Sequence, residues 1–345
     1  MRHFYNTADY SIEELDYLIK LAGELKHGKK LDLGGKIINL LFFNPSLRTR
    51  ISFMAGMNKL GGAAFDVPLG QAGAYNMEFK EAGMMDKSAI EHVREAAGVL
   101  SRYGEAIGVR SSDLVTNKEN TSGKVSWEEL KKDTVIKSFM QFSQVPVINM
   151  ESNVYHPCQG LGDALTIREK LGITQRKKYA HIWSYHPKAL PTATSNSQIL
   201  SACDLGMEVS VAYPEGWDLD REIVSEMKKR ANEAGGSLEF SHDQQKAYHQ
   251  ADIVCVKSWG ALSLYGNWEK EKREREKYKD WMATEEKMGK TEQAFFMHCL
   301  PVRRNVEVAD AVLDGASSIV LDQAENRMWI QMAILYFLLQ KGGQL

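Results

Sequence analysis

Short apolar runs of strand length recur along this chain, most of them followed by a stretch patterned like a helix. This alternation restricts the fold more than any other feature. The runs are "KIINLLFF" (36–43), "EAIGVR" (105–110), "VPVINM" (145–150), "KYAHIWSY" (178–185), "MEVSVAYP" (207–214), "SLEFSH" (237–242), "DIVCVKSW" (252–259), "AFFMHCL" (294–300) and "SIVLDQ" (318–323). Apolar strands alternating with helices build parallel sheets covered on both faces, and this many strands predict two doubly wound sheets in an α/β fold. At 345 residues and 43% hydrophobic, the chain is long enough for two domains that each bury a core. Ahead of the first strand, Ser11 and Glu14 form a capping box before Leu15, Leu18, Ile19, Ala22 and Leu25, an amphipathic helical spacing.

Two segments interrupt the pattern. "SSDLVTNKENTSGKVSWEELKKD" (111–133) reads as a polar loop followed by a helical turn, and the charge-dense stretch 264–293 reads as a solvated helix. The crossover between the two halves is expected near Glu151–Leu171, where "HPCQGLGDALTIREKLG" begins as a loop and continues as a helix.

Charge excludes one class of partner. Lys and Arg number 43 against 45 Asp and Glu, a formal net charge of −2, so no overall basic field favours nucleic acid and any anion must be met by local clusters. Cys158, Cys203, Cys255 and Cys299 are far apart and contain no CxxC pair, which argues against a zinc module and a secreted disulfide framework. No metal-ligand motif and no nucleotide glycine fingerprint is present, so neither metal nor cofactor is expected. The opening "MRHFYNTADYSIEEL" has no apolar leader, and the run from Trp329 to Leu339 is broken by Gln331 and too short to span a bilayer. A soluble, cytoplasmic protein is the expectation.

Three polar clusters directly follow apolar strands, where parallel sheets bind ligands. In "FFNPSLRTR", a helix starting near Ser46 would aim its free N–H groups and positive dipole end at the space shared by the Ser46 and Thr49 hydroxyls and the Arg48 fork. That set suits a phosphate; alternatively Ser46 only caps a helix and the arginines are solvated. In "HPCQ", His156 can donate to a carbonyl oxygen and Gln159 can bond an amide, or His156 is an ordinary loop residue. In "HCLPVRRN", Cys299 is a buried filler, a contact residue or, ranked last, a nucleophile.

"SLRTR", "HPCQ" and "HCLP", in this order and at these distances, resemble the transcarbamylases, over almost the whole chain. "HCLP" points to ornithine-type members, and "FFNPSLRTR", "SWGAL", "HCLPVRRN" and "AENR" resemble the branch acting on N-acylated ornithine. The resemblance implies carbamoyl transfer from carbamoyl phosphate to the δ-amine of an N-acylated ornithine in arginine biosynthesis, with N-acetyl-L-ornithine favoured and N-succinyl-L-ornithine the alternative. It implies that Ser46, Leu47, Arg48, Thr49, Arg110, His156, Gln159 and Arg327 hold carbamoyl phosphate, with Arg48, Thr49, Arg110, His156, Gln159 and Cys299 as the catalytic set. Tyr75, Ile90, Glu151, Lys257, Cys299 and Leu300 would contact the amino acid. It also implies a carbamoyl-phosphate domain at 1–152 plus 328–345 and an acylornithine domain at 153–327. The second domain would be knotted through 184–197 and the region after Lys257, and the protein a homotrimer with active sites shared between subunits, Tyr75 closing a neighbour's pocket. A silent carbamoyl-phosphate-binding relative is the competing class, disfavoured because every expected anion ligand is present.

Two positions depart from the family pattern. Where acetyl members carry Glu and succinyl members Pro, this chain has Ile90, either a specificity position or a core residue of a helix capped by Ser88 and Glu91. Glu307 stands where acetyl members can carry a lysine modified to a carbamate, and supplies similar negative charge. Lys257 disfavours the α-ammonium of free ornithine by like charge.

Overall fold

The structure, a computed structural model, describes residues 1–69, 75–112 and 126–344, so residues 113–125 of the expected polar loop lie outside it. The chain divides into two compact units. The first consists of the amino-terminal part, Glu128–Cys158, and Arg327 onward; the second is Gln159–Asn326 with the short stretch ending at Trp127.

The first unit opens with α1 (Ile12–Lys26), whose capping box is present: Glu14 N–H donates to Ser11 Oγ and Ser11 N–H to the Glu14 carboxylate. Then follow β1 (Ile37–Phe42), α2 (Leu47–Lys59), β2 (Ala63–Pro68), β3 (Met77–Glu78), β4 (Glu91–His92), α3 (Val93–Tyr103), β5 (Ala106–Arg110), the helical turn α4 (Trp127–Leu130), α5 (Thr134–Phe142) and β6 (Val147–Glu151). The parallel sheet has the order β2-β1-β5-β6. The chain moves outward from β1 to β2 and returns past β1 to β5, so the strand order reverses between β1 and β5. Open α/β sheets bind ligands beyond the carboxyl ends of their strands at such a point.

The second unit takes α6 (Pro157–Leu171) from Gln159 onward, then β7 (Lys178–Ile182), α7 (Ala193–Asp204), β8 (Glu208–Ala212), α8 (Arg221–Glu233), β9 (Ser237–Ser241), α9 (Gln244–Tyr248), β10 (Ile253–Val256), α10 (Trp268–Arg275), α11 (Glu285–Met288), β11 (Phe295–Met297) and α12 (Asp310–Leu313). The chain leaves it within α13 (Val320–Gln340). Its sheet is also parallel, in the order β11-β10-β7-β8-β9, with the reversal between β7 and β10. All four β10 residues are buried, whereas the edge strand β9 is not, as expected of a sheet covered at its centre.

Four readings need correction. "SIVLDQ" makes one parallel bridge, Ser318 beside Phe296, and then enters α13: a short apolar run does not tell strand from helix, and helically spaced Ile330, Ile334 and Leu338 decide it. β2 went unread because "AAFDVP" is an edge strand with Asp66 inside it and Pro68 at its end. Ser88 and Glu91 cap nothing; α3 starts at Val93 with His92 as its cap, and Ile90 is 61% exposed, outside any core. The 264–293 segment is not wholly solvated, since Glu271 and Arg275 form a buried ion pair there, and Arg275 also donates to His186 O at 3.0 Å.

Among the described residues no helix is long and apolar enough to cross a membrane.

Candidate functional site

In the first unit, the loop after β1 brings the chain into α2, with Ser46 as N-cap accepting from Thr49 N–H at 3.3 Å. The first turn holds no acidic residue, so the positive end of the helix is left to Arg48 and to whatever binds there. Buried Asn44 fixes this loop against the end of β5 by accepting from Ser112 N–H at 2.7 Å, and Phe43 N–H donates to Arg110 O at 3.0 Å. The two sides of the reversal point are thereby tied together.

Three arginines supply the charge. Arg327 donates from Nη2 to Thr49 Oγ1 at 2.7 Å, and both residues are buried. Burial, together with the nearby charges of Arg110 and Arg48, lowers its pKa to about 10, so it stays a cation at neutral pH. Arg110, at the end of β5, pairs with Glu151 at the end of β6, and His156 Nε2 lies 3.8 Å from the same carboxylate oxygen. Arg50, one turn along from Leu47, is turned away: it pairs with Asp66 at 3.1 Å and covers the Phe42 ring. Leu47 is 75% exposed, and its backbone N–H is among those at the open first turn of α2. The loop carrying Glu151 to His156 is fastened by buried Asp133, which accepts from Asn153 N–H at 2.9 Å, Ser152 Oγ at 2.6 Å and Tyr5 OH at 2.8 Å.

Tyr75 and Ile90 come together elsewhere in this unit. The β3–β4 ladder aligns their segments, Ile90 N–H donates to Asn76 O at 3.1 Å, and the Tyr75 hydroxyl bonds the Glu91 carboxylate.

The second unit sets a different chemistry at its reversal point. Lys257 follows β10 and is buried, and "HCLP" follows β11. Leu300, at φ +53°, donates its N–H to His298 Nδ1 at 3.0 Å, so a neutral His298 carries its proton on Nε2, 3.7 Å from Glu307 Oε1. Burial pushes the Glu307 carboxyl up, but the facing His298 imidazole and the nearby Lys257 and His186 outweigh it and hold the pKa at about 2. Arg303 N–H donates to its other oxygen at 2.8 Å. Glu307 is therefore a buried anion. Cys299, 8% exposed, sits in the same turn.

Gln159 donates from Nε2 to Asp163 Oδ1 at 2.7 Å, one helical turn along α6. Reading the sequence missed Asp163, although its i, i+4 spacing from Gln159 was visible. It also missed Gln198 and Gln323, which bond the same carboxylate from other helices and carry no local signal. Among the described residues no group of three or more His, Cys, Asp or Glu could hold a metal ion.

Models of the aspartate/ornithine carbamoyltransferase family match the chain almost throughout: the carbamoyl-phosphate-binding domain over residues 2–169 and the Asp/Orn-binding domain over 190–338. An N-acetylornithine carbamoyltransferase of Xanthomonas axonopodis pv. citri (strain 306) is 43% identical over 347 residues, covering 99% of this chain and 98% of the relative. An N-succinylornithine carbamoyltransferase of Bacteroides fragilis (strain 638R) is 34% identical over 317 residues, covering 90% of each. The crystal structure of an acetylornithine transcarbamylase complexed with acetylcitrulline superposes with a TM-score of 0.91 at 43% identity, covering 97% of this chain and 98% of that one.

Proposed function

The chain belongs to the aspartate/ornithine carbamoyltransferase family, and we propose that it transfers the carbamoyl group of carbamoyl phosphate to the δ-amine of N-acetyl-L-ornithine, releasing N-acetyl-citrulline and phosphate in arginine biosynthesis. The observation that carries this reading is the Ser46-capped helix start set among Arg48, Arg110 and Arg327. In the first unit the phosphate lies on the α2 N–H groups, including that of Leu47, and on the three guanidiniums. The Thr49 hydroxyl and the His156 imidazole face the carbonyl oxygen. In the second unit Gln159 meets the carbamoyl amide, while Lys257, Cys299 and Leu300 receive the acylated amino acid.

The chemistry asks for oriented donors. A neutral amine attacks the carbamoyl carbon and forms the new C–N bond, negative charge builds on the carbonyl oxygen, and collapse breaks the C–O bond to phosphate, which takes up the proton the amine gives up and leaves into the arginine cluster. A donor aimed at developing charge typically contributes ~10²–10³ in rate.

The acetyl reading is supported by the greater likeness to the acetyl relative; the succinyl alternative is favoured by Ile90, which sets no negative charge against a succinyl carboxylate. Citrulline-derivative release from carbamoyl phosphate with ornithine, N-acetylornithine and N-succinylornithine in parallel tests both, and preference for free ornithine would sink them together. We further propose a cytoplasmic homotrimer in which Tyr75 closes a neighbour's pocket; sedimentation at three times the 38.9 kDa chain mass is the expected result. The second unit is proposed to carry the knot of acylornithine members, formed by 184–197 and the segment after Lys257. Two contacts support that: Gly260 N–H donates to Leu190 O at 2.9 Å, and a Cβ on Gly260 would press on Ala189 at 3.0 Å.

A further inference from the structure

Asp163 lies on α6 in the interior of the second unit, 1% exposed, and its carboxylate collects three side-chain amides. Gln159 Nε2 and Gln323 Nε2 donate to Oδ1 at 2.7 and 2.8 Å, and Gln198 Nε2 donates to Oδ2 at 2.6 Å. Gln323 in turn accepts His298 N–H on Oε1 at 2.9 Å, at the start of "HCLP". The close approach of α7 that brings Gln198 in depends on Gly160, where a Cβ would lie 2.4 Å from Ser197 O and 2.5 Å from Ser201 Oγ. Both oxygens of the Asp163 carboxyl are taken by amide donors, so each of the three amides turns its NH2 toward Asp163, and the orientation of Gln159 is set by that contact. Its carbonyl oxygen is left on the other branch of the planar amide.

We propose that Asp163 is a positioning residue that fixes the Gln159 amide with its carbonyl oxygen toward the donor substrate, so that the site selects a group bearing NH2 over an isosteric group bearing CH3. This rests on the carbamoyl-phosphate reading above. A freely rotating Gln159 would present either its NH2 or its oxygen and would discriminate weakly. Held by Asp163, it accepts from the carbamoyl NH2, and the same carboxylate steadies the His298 backbone through Gln323. A site built to bond a polar group rejects the analogue that leaves its buried acceptor unpaired.

The test uses phosphonoacetamide and acetonylphosphonate, a stable pair differing in NH2 against CH3, with inorganic phosphate as control, by calorimetry on the full-length protein. Wild type is expected to prefer the amide by about tenfold or more, one net hydrogen bond. Asp163→Ala and Asp163→Leu should bring the preference close to one while phosphate affinity stays put. Leu fills the space without accepting, which separates packing from acceptance. Asp163→Asn should keep most of the preference, because one amide oxygen at the Oδ1 position still receives both Gln159 and Gln323. Gln159→Ala should abolish the preference, and Asp163→Ala added to it should remove nothing more.

Full preference retained in Asp163→Ala or Asp163→Leu, with Gln159→Ala losing it, overturns the positioning role. Loss in Asp163→Asn as complete as in Asp163→Ala overturns it too, since charge would then be the agent. Should the Asp163 variants not fold, the wild-type Gln159 NH2, assigned by its absence in Gln159→Ala, must exchange slowly with solvent; fast exchange overturns the proposal. Wild type that binds none of the three compounds removes the carbamoyl-phosphate reading itself, which separates that failure from a failure of Asp163 alone.

Discussion

Beyond the first sheet, the reversal of strand order opens onto a helix start, three guanidiniums and a carboxylate shared by Arg110 and His156. Beyond the second it opens onto Lys257, the "HCLP" turn, a buried ionised Glu307 and, on α6, an Asp163 wrapped in amides. Both sheets are parallel and doubly wound, so topology fixes where ligands go and leaves open which ones. Side chains at the strand ends decide that. Clustered positive charge suits a dianion that leaves; a buried network of acceptors suits an uncharged amide and a neutral amine.

The largest expected effect breaks the first half of this contrast. Arg48→Ala should lower kcat by ~10²–10³ with an unchanged melting temperature, because Arg48 is half-buried at a helix start and contributes to the ligand more than to the core. Near-normal turnover would falsify the phosphate-site assignment.

Glu307→Gln addresses the second half. It removes the buried anion that faces His298 and should raise KM for the acylated ornithine about tenfold, while the dissociation constant for phosphate stays the same. A change in phosphate binding alone would reverse the assignment of roles.

The two units should also answer to pH with opposite signs. Glu307 is held at about 2 against an ordinary value of 4.5, so it stabilises the fold above about 4.5, and that contribution is lost as pH falls through 2. Asp133, in the first unit, is pushed by burial to about 6, only partly opposed by its bonds from Ser152, Tyr5 and Asn153. Its folded form binds the proton more tightly than the unfolded chain, so its contribution is fully present below about 3.8 and is lost as pH rises through 6. Chemical denaturation should find that Glu307→Gln flattens the loss of stability below pH 4.5, and that Asp133→Asn flattens the decline between pH 4 and 7. Flattening in the same direction by both would contradict the assigned charges.

A smaller effect is expected at Ile90. Exposed as it is, Ile90→Glu should leave the melting temperature unchanged and shift the preference from N-succinylornithine toward N-acetylornithine by tenfold at most, since solvent screens an exposed charge. Equal loss on both substrates would remove Ile90 from the specificity pocket. The smallest effect is none: activity after dialysis against EDTA should match that before, and a loss restored by zinc or magnesium would mean that the contrast between cations and acceptors omits a metal.

Much of this was legible in the linear chain. Apolar strand runs gave the parallel architecture and eight strands of the two large sheets, the capping residues gave the starts of α1 and α2, and "SLRTR", "HPCQ" and "HCLP" each proved to follow a strand of a parallel sheet. Those signals are local: a period, a cap and a turn are written within a dozen residues. Edge strand β2 escaped because half-exposed strands need no apolar run, and "SIVLDQ" was misread because its neighbours in space, not in sequence, make it the start of a helix. The partners of the site residues escaped for the same reason. Arg327 reaches Thr49 across 278 residues, Gln323 reaches Asp163 across 160, and Arg303 bonds His186 across 117. Sequence by itself determined which groups could meet a phosphate and an amide; only the tertiary structure decided which of them are turned, charged and held to do so, because orientation and protonation are set by buried neighbours that the chain brings together from afar.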